Sequence, residues 1–217
     1  MRPTLRAGSE TLFVTGAAGR IETVLDLPAG ASPDTPPRGI ALIAHPHPLF
    51  GGTLDNKVVQ TLAKTFAELG YAAVRSNFRG VGDTEGTHDH GEGETGDMLT
   101  LARWARERFG DLPVAAAGFS FGAWIQTRVA ERLPLERLVL VALPAGFVSD
   151  GRSYTTGTVA ADTIVIHGDE DDTVPLKNVL DWARPQDLPV SVIPGADHFF
   201  HRKLKVIRAI IVGQWKK

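Results

Sequence analysis

Gly118-Phe119-Ser120-Phe121-Gly122 decides how the rest of the chain is read. An apolar run, Pro113-Val114-Ala115-Ala116-Ala117, leads into it. Ala123-Trp124-Ile125-Gln126-Thr127-Arg128-Val129-Ala130, which can wind as a helix, leads out. Strand, sharp turn and helix therefore meet at a serine. A turn this tight leaves no space for a Cβ on either flank, so both flanks are glycine. Its strain lifts the hydroxyl out of the sheet, where a base can reach it. The bland alternative is a glycine-rich turn with a solvated serine, and the partners downstream argue against it.

Upstream, Thr11 to Thr15 and Ile21 to Leu27 read as two strands joined by a turn at Gly16-Ala17-Ala18-Gly19. Pro28 to Pro37 is a loop. Gly39 to Ala44 is a continuous apolar strand, the pattern of a sheet buried on both faces. It runs into His45-Pro46-His47-Pro48-Leu49-Phe50-Gly51-Gly52, where the prolines stop ladder bonding. A helix is expected from about Asp55 to Leu69, stopped by Gly70, and then a strand from Tyr71 to Asn77. Arg79 to Asp97 is glycine-rich and acidic, and a helix is expected from about Asp97, its cap, to Phe109.

Downstream, the helix after Ser120 should run to about Arg132, and Leu138 to Leu143 is another buried strand. Pro144 to Ala160 looks irregular. Thr163 to Ile166 is a strand ending at His167-Gly168, Leu176 to Ala183 a helix, Pro189 to Ile193 a strand, and Arg202 to Trp215 a closing helix. This alternation after an initial hairpin predicts one α/β domain over residues 1–217. Its three α/β/α layers enclose a mostly parallel sheet with an N-terminal antiparallel hairpin. In such sheets reactive groups sit in loops beyond the carboxyl ends of the strands.

The net charge of -2 predicts neither a nucleic-acid partner nor a general attraction to membranes. The absence of cysteine excludes disulfides, a thiolate nucleophile and Cys-ligated metal, without fixing the compartment. Met1 to Glu10 lacks the apolar core of a secretory signal, and no stretch is long enough to span a bilayer. A cytoplasmic protein, monomeric or homodimeric, is expected.

A serine hydroxyl becomes nucleophilic when a base takes its proton, and the base needs a carboxylate to orient it. Both should lie beyond strands and after Ser120. His167-Gly168-Asp169-Glu170-Asp171-Asp172-Thr173-Val174-Pro175 follows one strand, and Asp171 is taken as the orienting carboxylate, with Asp169 and Asp172 as rivals. Gly195-Ala196-Asp197-His198-Phe199-Phe200 follows the last strand. His198 is taken as the base, with His201 as its rival. Asp197 is adjacent to His198 and diverges from it.

These residues carry a resemblance to the α/β-hydrolase family over nearly the whole chain from about Thr11. The match comprises the elbow at Gly118 to Gly122, His167-Gly168-x-x-Asp171 with Val174-Pro175 beyond, and Asp197-His198. Asn77-Phe78-Arg79-Gly80-Val81-Gly82 also resembles the family's Arg-Gly-x-Gly loop. The resemblance implies an eight-stranded sheet, a Ser-His-Asp triad and acyl transfer, here in a small esterase-like member. Its oxyanion hole should combine the N–H of Phe121 with one from the loop after Gly39 to Ala44. Many relatives have His-Gly-x-Pro there; this chain has His45-Pro46-His47-Pro48. That pairing places His47 as donor and Leu49 as fallback, since Pro46 and Pro48 have no N–H. Relatives with a cap domain insert it after the strand at Leu138 to Leu143. Pro144 to Ala160 is too short for one, so the site should be lidless, with Phe50, Phe147 and Tyr154 as candidate lining.

Two rival readings are weaker. Gly80-Val81-Gly82 invites a dinucleotide site, but Gly86 falls one position late and Asp83, Glu85, Asp89, Glu92 and Glu94 would repel a pyrophosphate. His88-Asp89-His90 has loose spacing for a metal and reads as a solvated loop. A non-catalytic binding module on the same fold is the alternative from another class. The expectation is hydrolysis of a small acyl ester or thioester, with no cofactor and no metal.

Overall fold

The computed structural model describes residues 8–32, 34–149 and 151–215. Residues 1–7 of the leading segment, expected to carry no signal, lie outside the described residues. β1 (Gly8–Gly16) and β2 (Gly19–Leu27) form the expected hairpin, in register from Gly8 opposite Leu27 to Gly16 opposite Gly19. β3 (Gly39–Ala44) leads to α1 (Lys57–Glu68), β4 (Tyr71–Ser76) to α2 (Glu92–Phe109), and β5 (Val114–Phe119) to α3 (Phe121–Ala130). After β6 (Arg137–Val141), β7 (Gly146–Phe147) and β8 (Ser153–Tyr154) make a small separate hairpin. β9 (Ile164–Gly168), α4 (Leu176–Ala183), β10 (Val190–Ile193) and α5 (Leu204–Trp215) complete the order.

Eight strands form one sheet in the order β1-β2-β4-β3-β5-β6-β9-β10. β2 is antiparallel to both neighbours, and every pairing from β4 across to β10 is parallel. Strand side chains alternate between faces. Ile40 and Leu42 of β3 accordingly join α2, α3 and α4 in one core, while Ala41 and Ile43 join α1 and α5 in the other. No helix among the described residues is long and apolar enough to cross a membrane.

The main correction concerns α2, which starts five residues before the expected Asp97. Gly91, at φ 102°, turns the chain into the helix, and the Glu94 carboxylate accepts its N–H at 2.9 Å. Gly93 and Gly96 weaken the helical signal locally. Gly93, however, lies where a Cβ would come within 2.0 Å of the Arg79 guanidinium, so its bareness serves packing. Asp97 is not a cap. Its two oxygens accept Arg79 Nε–H and Nη2–H at 2.9 Å each, tying α2 to the loop after β4. Other boundaries shift less: α3 ends at Ala130 and β6 at Val141, each two residues short of expectation.

Candidate active site

Ser120 joins β5 to α3 with φ 54° and ψ −123°, a left-handed conformation that costs a non-glycine residue on the order of 1–3 kcal/mol. Its N–H donates to Val141 O at 2.9 Å, and its carbonyl accepts the N–H groups of Ala123 at 2.8 Å and Trp124 at 3.2 Å. The glycine spacing has a steric cause. A Cβ on Gly118 would lie 2.3 Å from Gly122 O, and one on Gly122 would lie 2.3 Å from Ala44 O. The helix start is thereby pressed against the end of β3.

The structure brings Ser120, His198 and Asp171 together from three different loops. His198 Nε2 lies 3.0 Å from Ser120 Oγ, and His198 Nδ1 lies 2.8 Å from Asp171 Oδ2. The other oxygen of Asp171 accepts the N–H groups of Thr173 at 3.0 Å and Val174 at 2.7 Å. A carboxylate that only accepts places the shared proton on Nδ1, so the neutral imidazole turns an acceptor nitrogen toward the serine hydroxyl. Asp171 and His198 are both buried, which shields the pair from solvent.

The rivals are engaged elsewhere. Asp169 accepts the N–H of Gly195 at 2.6 Å, and Asp172 meets the Thr173 hydroxyl at 3.4 Å. His201 Nδ1 pairs with Asp197 at 2.5 Å on the exposed side of its turn. Behind Asp171, buried His167 donates from Nε2 to Val174 O at 2.9 Å and lies 3.5 Å from Asp171 Oδ2. Burial pushes its pKa down.

On the other side of Ser120, the His47 ring packs on Phe121 with centroids 4.7 Å apart. This sets the loop after β3 beside the start of α3. The fallback N–H, that of Leu49, donates to His47 Nδ1 at 3.2 Å, and His47 O accepts those of Phe50 and Gly52 at 3.1 Å each. His47 and Phe121 therefore stay the candidate pair for an oxyanion.

His45 holds this corner from below. Its Nε2 accepts the N–H of Phe78 at 2.8 Å, so the Nδ1 hydrogen points to Pro46 O at 2.6 Å. Complete burial lowers its pKa from 6.5 to about 3. In the unfolded chain the same imidazole takes its proton near 6.5. Above that pH neither state holds the proton and the contribution to stability is flat. As pH falls from 6.5 toward 3, unfolding takes up a proton that the fold refuses, and stability is lost at about 1.4 kcal/mol per pH unit for each such group. His167 acts in the same direction. The melting temperature is therefore expected to fall between pH 7 and pH 4.5, with a shallower slope in His45→Gln. An unchanged midpoint over that range would contradict the assignment.

A cavity of about 210 Å³ opens beside Phe121, walled by His47, His88, Trp124, Arg152 and Tyr154 among others. Phe50 and Phe147 stand 65% and 72% exposed, whereas Tyr154 is buried. Arg152 lies over the Phe50 ring at 4.4 Å and donates to the Tyr154 hydroxyl at 2.9 Å. One further reading is corrected here. The loop at His88 is not simply solvated: the His88 side chain is only 8% exposed and bonds to fully buried Glu94. No group of three metal-ligating side chains occurs among the described residues. Around Gly80 to Gly82, the Glu22 carboxylate accepts the N–H of Asp83 at 2.9 Å and the Asn77 amide at 2.7 Å, so a protein anion occupies the turn. His88, Glu94 and Arg152 were not foreseen as site residues. Their one sequence signal is a position beyond a strand's carboxyl end.

Comparison with known proteins adds three findings. The profile of the family described as X-Pro dipeptidyl-peptidase (S15 family) matches residues 20–183. Protein RP471 of Rickettsia prowazekii (strain Madrid E), described as uncharacterized, is 32% identical over 204 residues, covering 88% of this chain and 82% of that one. Two solved structures are similar over almost the full length. XC6422 from Xanthomonas campestris, described as a serine hydrolase without lid, is 35% identical with a TM-score of 0.81, covering 98% of this chain and 96% of that one. An alpha-beta serine hydrolase homologue from Coxiella burnetii is 37% identical with a TM-score of 0.84, covering 97% and 99%.

Proposed function

This chain belongs to the X-Pro dipeptidyl-peptidase (S15) family of α/β serine hydrolases, and from that premise we propose that it hydrolyses small acyl esters or thioesters through Ser120, His198 and Asp171. The observation that supports the reading is the 3.0 Å approach of His198 Nε2 to Ser120 Oγ, with Asp171 holding the far side of the ring at 2.8 Å.

Ser120 Oγ forms a bond to the acyl carbon while its proton passes to His198 Nε2. The carbonyl π pair moves onto oxygen, and the N–H groups of Phe121 and His47 receive that charge. Collapse breaks the bond to the alkoxide or thiolate, which leaves with the proton from His198. Water then attacks the acyl-enzyme, His198 takes its proton, and Ser120 is released with the acid. Asp171 stays ionised throughout and stabilises the imidazolium. The route uses no cofactor.

The family description raises peptide hydrolysis as the second reading. None of the described residues walling the cavity beside Phe121 is acidic, and Arg152 is among them, so none of these residues would meet the cationic amino terminus from which a dipeptidyl-peptidase counts. That favours a neutral or anionic acyl substrate. Two measurements test the proposal. A fluorophosphonate is expected to form one adduct, on Ser120, and its absence from folded protein would favour a binding module. In a panel of matched esters, thioesters and amides, faster turnover of the amides would overturn the ester reading.

A further inference from the structure

The turn after β4 and the first turn of α2 carry a pair of buried side chains, His88 and Glu94, that the route above does not use. Glu94 is fully buried. Its Oε1 accepts the N–H of Asp89 and faces His88 Nδ1, both at 2.9 Å, and its Oε2 accepts the N–H of Gly91 at 2.9 Å. A carboxylate receiving two backbone N–H groups is the acceptor in its third contact, which puts the proton on His88 Nδ1. The ring is thereby fixed in orientation. The turn is pinned in turn against α3, since a Cβ on Gly91 would lie 2.4 Å from the Trp124 ring.

The His88 ring packs 5.0 Å from the ring of His47 and 5.6 Å from that of Phe121. Among the described residues it is the one aromatic ring in contact with both. The β3–β5 ladder ends at Ala44 opposite Gly118, and His47 and Phe121 each lie three residues beyond it, so the ladder places them side by side without fixing the spacing of their N–H groups. Packing sets it, and His88 closes the packing from the third side.

Resting on the proposed esterase reading, we propose that His88, oriented by Glu94, is a positioning residue that fixes the separation of the His47 and Phe121 N–H groups. Such a brace acts on the tetrahedral state and leaves ground-state binding alone. In His88→Ala, kcat toward p-nitrophenyl acetate is expected to fall by about 10- to 100-fold with KM within about twofold. Affinity for a phenylboronic acid, which forms a tetrahedral adduct on a nucleophilic serine, should fall by the same factor. His88→Gln keeps a donor for Glu94 and is expected to recover activity to within about fivefold of wild type. Glu94→Gln keeps the volume without the carboxylate and should behave like His88→Ala, which covers the case in which the alanine variant does not fold.

One readout needs no turnover. Amide hydrogen exchange over residues 45–52 and 120–124 should accelerate in His88→Ala and Glu94→Gln but not in His88→Gln. If Ser120→Ala hydrolyses esters as fast as wild type, the esterase reading falls while exchange still judges the brace. Unchanged kcat, a KM that rises as far as kcat falls, or unchanged exchange in the folded variants would each overturn the proposal.

Discussion

Ser120→Ala is expected to lower kcat toward short p-nitrophenyl esters by about 10^4- to 10^6-fold. On the proposed route the substitution deletes the atom that bonds to the acyl carbon. His198 keeps its contact with Asp171, and the N–H groups of Phe121 and His47 that are proposed to hold the oxyanion are untouched, so a residual rate above that of water is expected. The fold has little reason to suffer. The only hydrogen bond to Ser120 Oγ among those described is the one to His198, while the backbone bonds of residue 120 do not involve its side chain. A melting temperature within a few degrees of wild type is therefore part of the expectation. Equal rates from the two proteins would remove Ser120 from the reaction.

Asp171→Asn is expected to lower kcat by about 10^3- to 10^4-fold with the fold intact. Asparagine matches aspartate in size, and its carbonyl oxygen can keep the N–H groups of Thr173 and Val174 that now bind Oδ1. Its NH2 group must then face His198 Nδ1, and two donors cannot share that position. The ring resolves the conflict by carrying its proton on Nε2, which leaves nothing on that side to accept from the serine. Asp169→Asn and Asp172→Asn serve as controls, with rates within about twofold of wild type, because neither side chain reaches the imidazole. Loss of rate in either control, with Asp171→Asn unaffected, would reassign the orienting carboxylate.

The parts of the fold legible in sequence are those whose physics is local. β3 and β5 are apolar without interruption because both faces of the sheet are covered, and each is buried at every position. The Gly118 and Gly122 pair was readable because one turn demands both. The start of α2 was not readable. Gly93 and Gly96 argue against a helix at their own positions, and the reason for Gly93 lies in Arg79, fourteen residues away. For the same reason Asp97 reads as a cap when its real partner is across the loop. His88 reads as solvated because nothing in His88-Asp89-His90 reveals a carboxylate six residues on that returns beneath it. The preference for His47 over Leu49 comes from the resemblance, and no spacing rule encodes the bond that engages the Leu49 N–H within the loop.

One consequence of the left-handed backbone at residue 120 concerns how the chain can drift. At 118 and 122 any side chain collides with main chain, so glycine is imposed by space. At 120 a side chain is admitted but disfavoured by φ 54°, and glycine would relax the turn. Mutational pressure toward robustness alone would therefore empty this position as well. A serine at 120 therefore stands at a cost in stability that glycine would not carry, and a survey of relatives that lack the imidazole partner is expected to find glycine there more often.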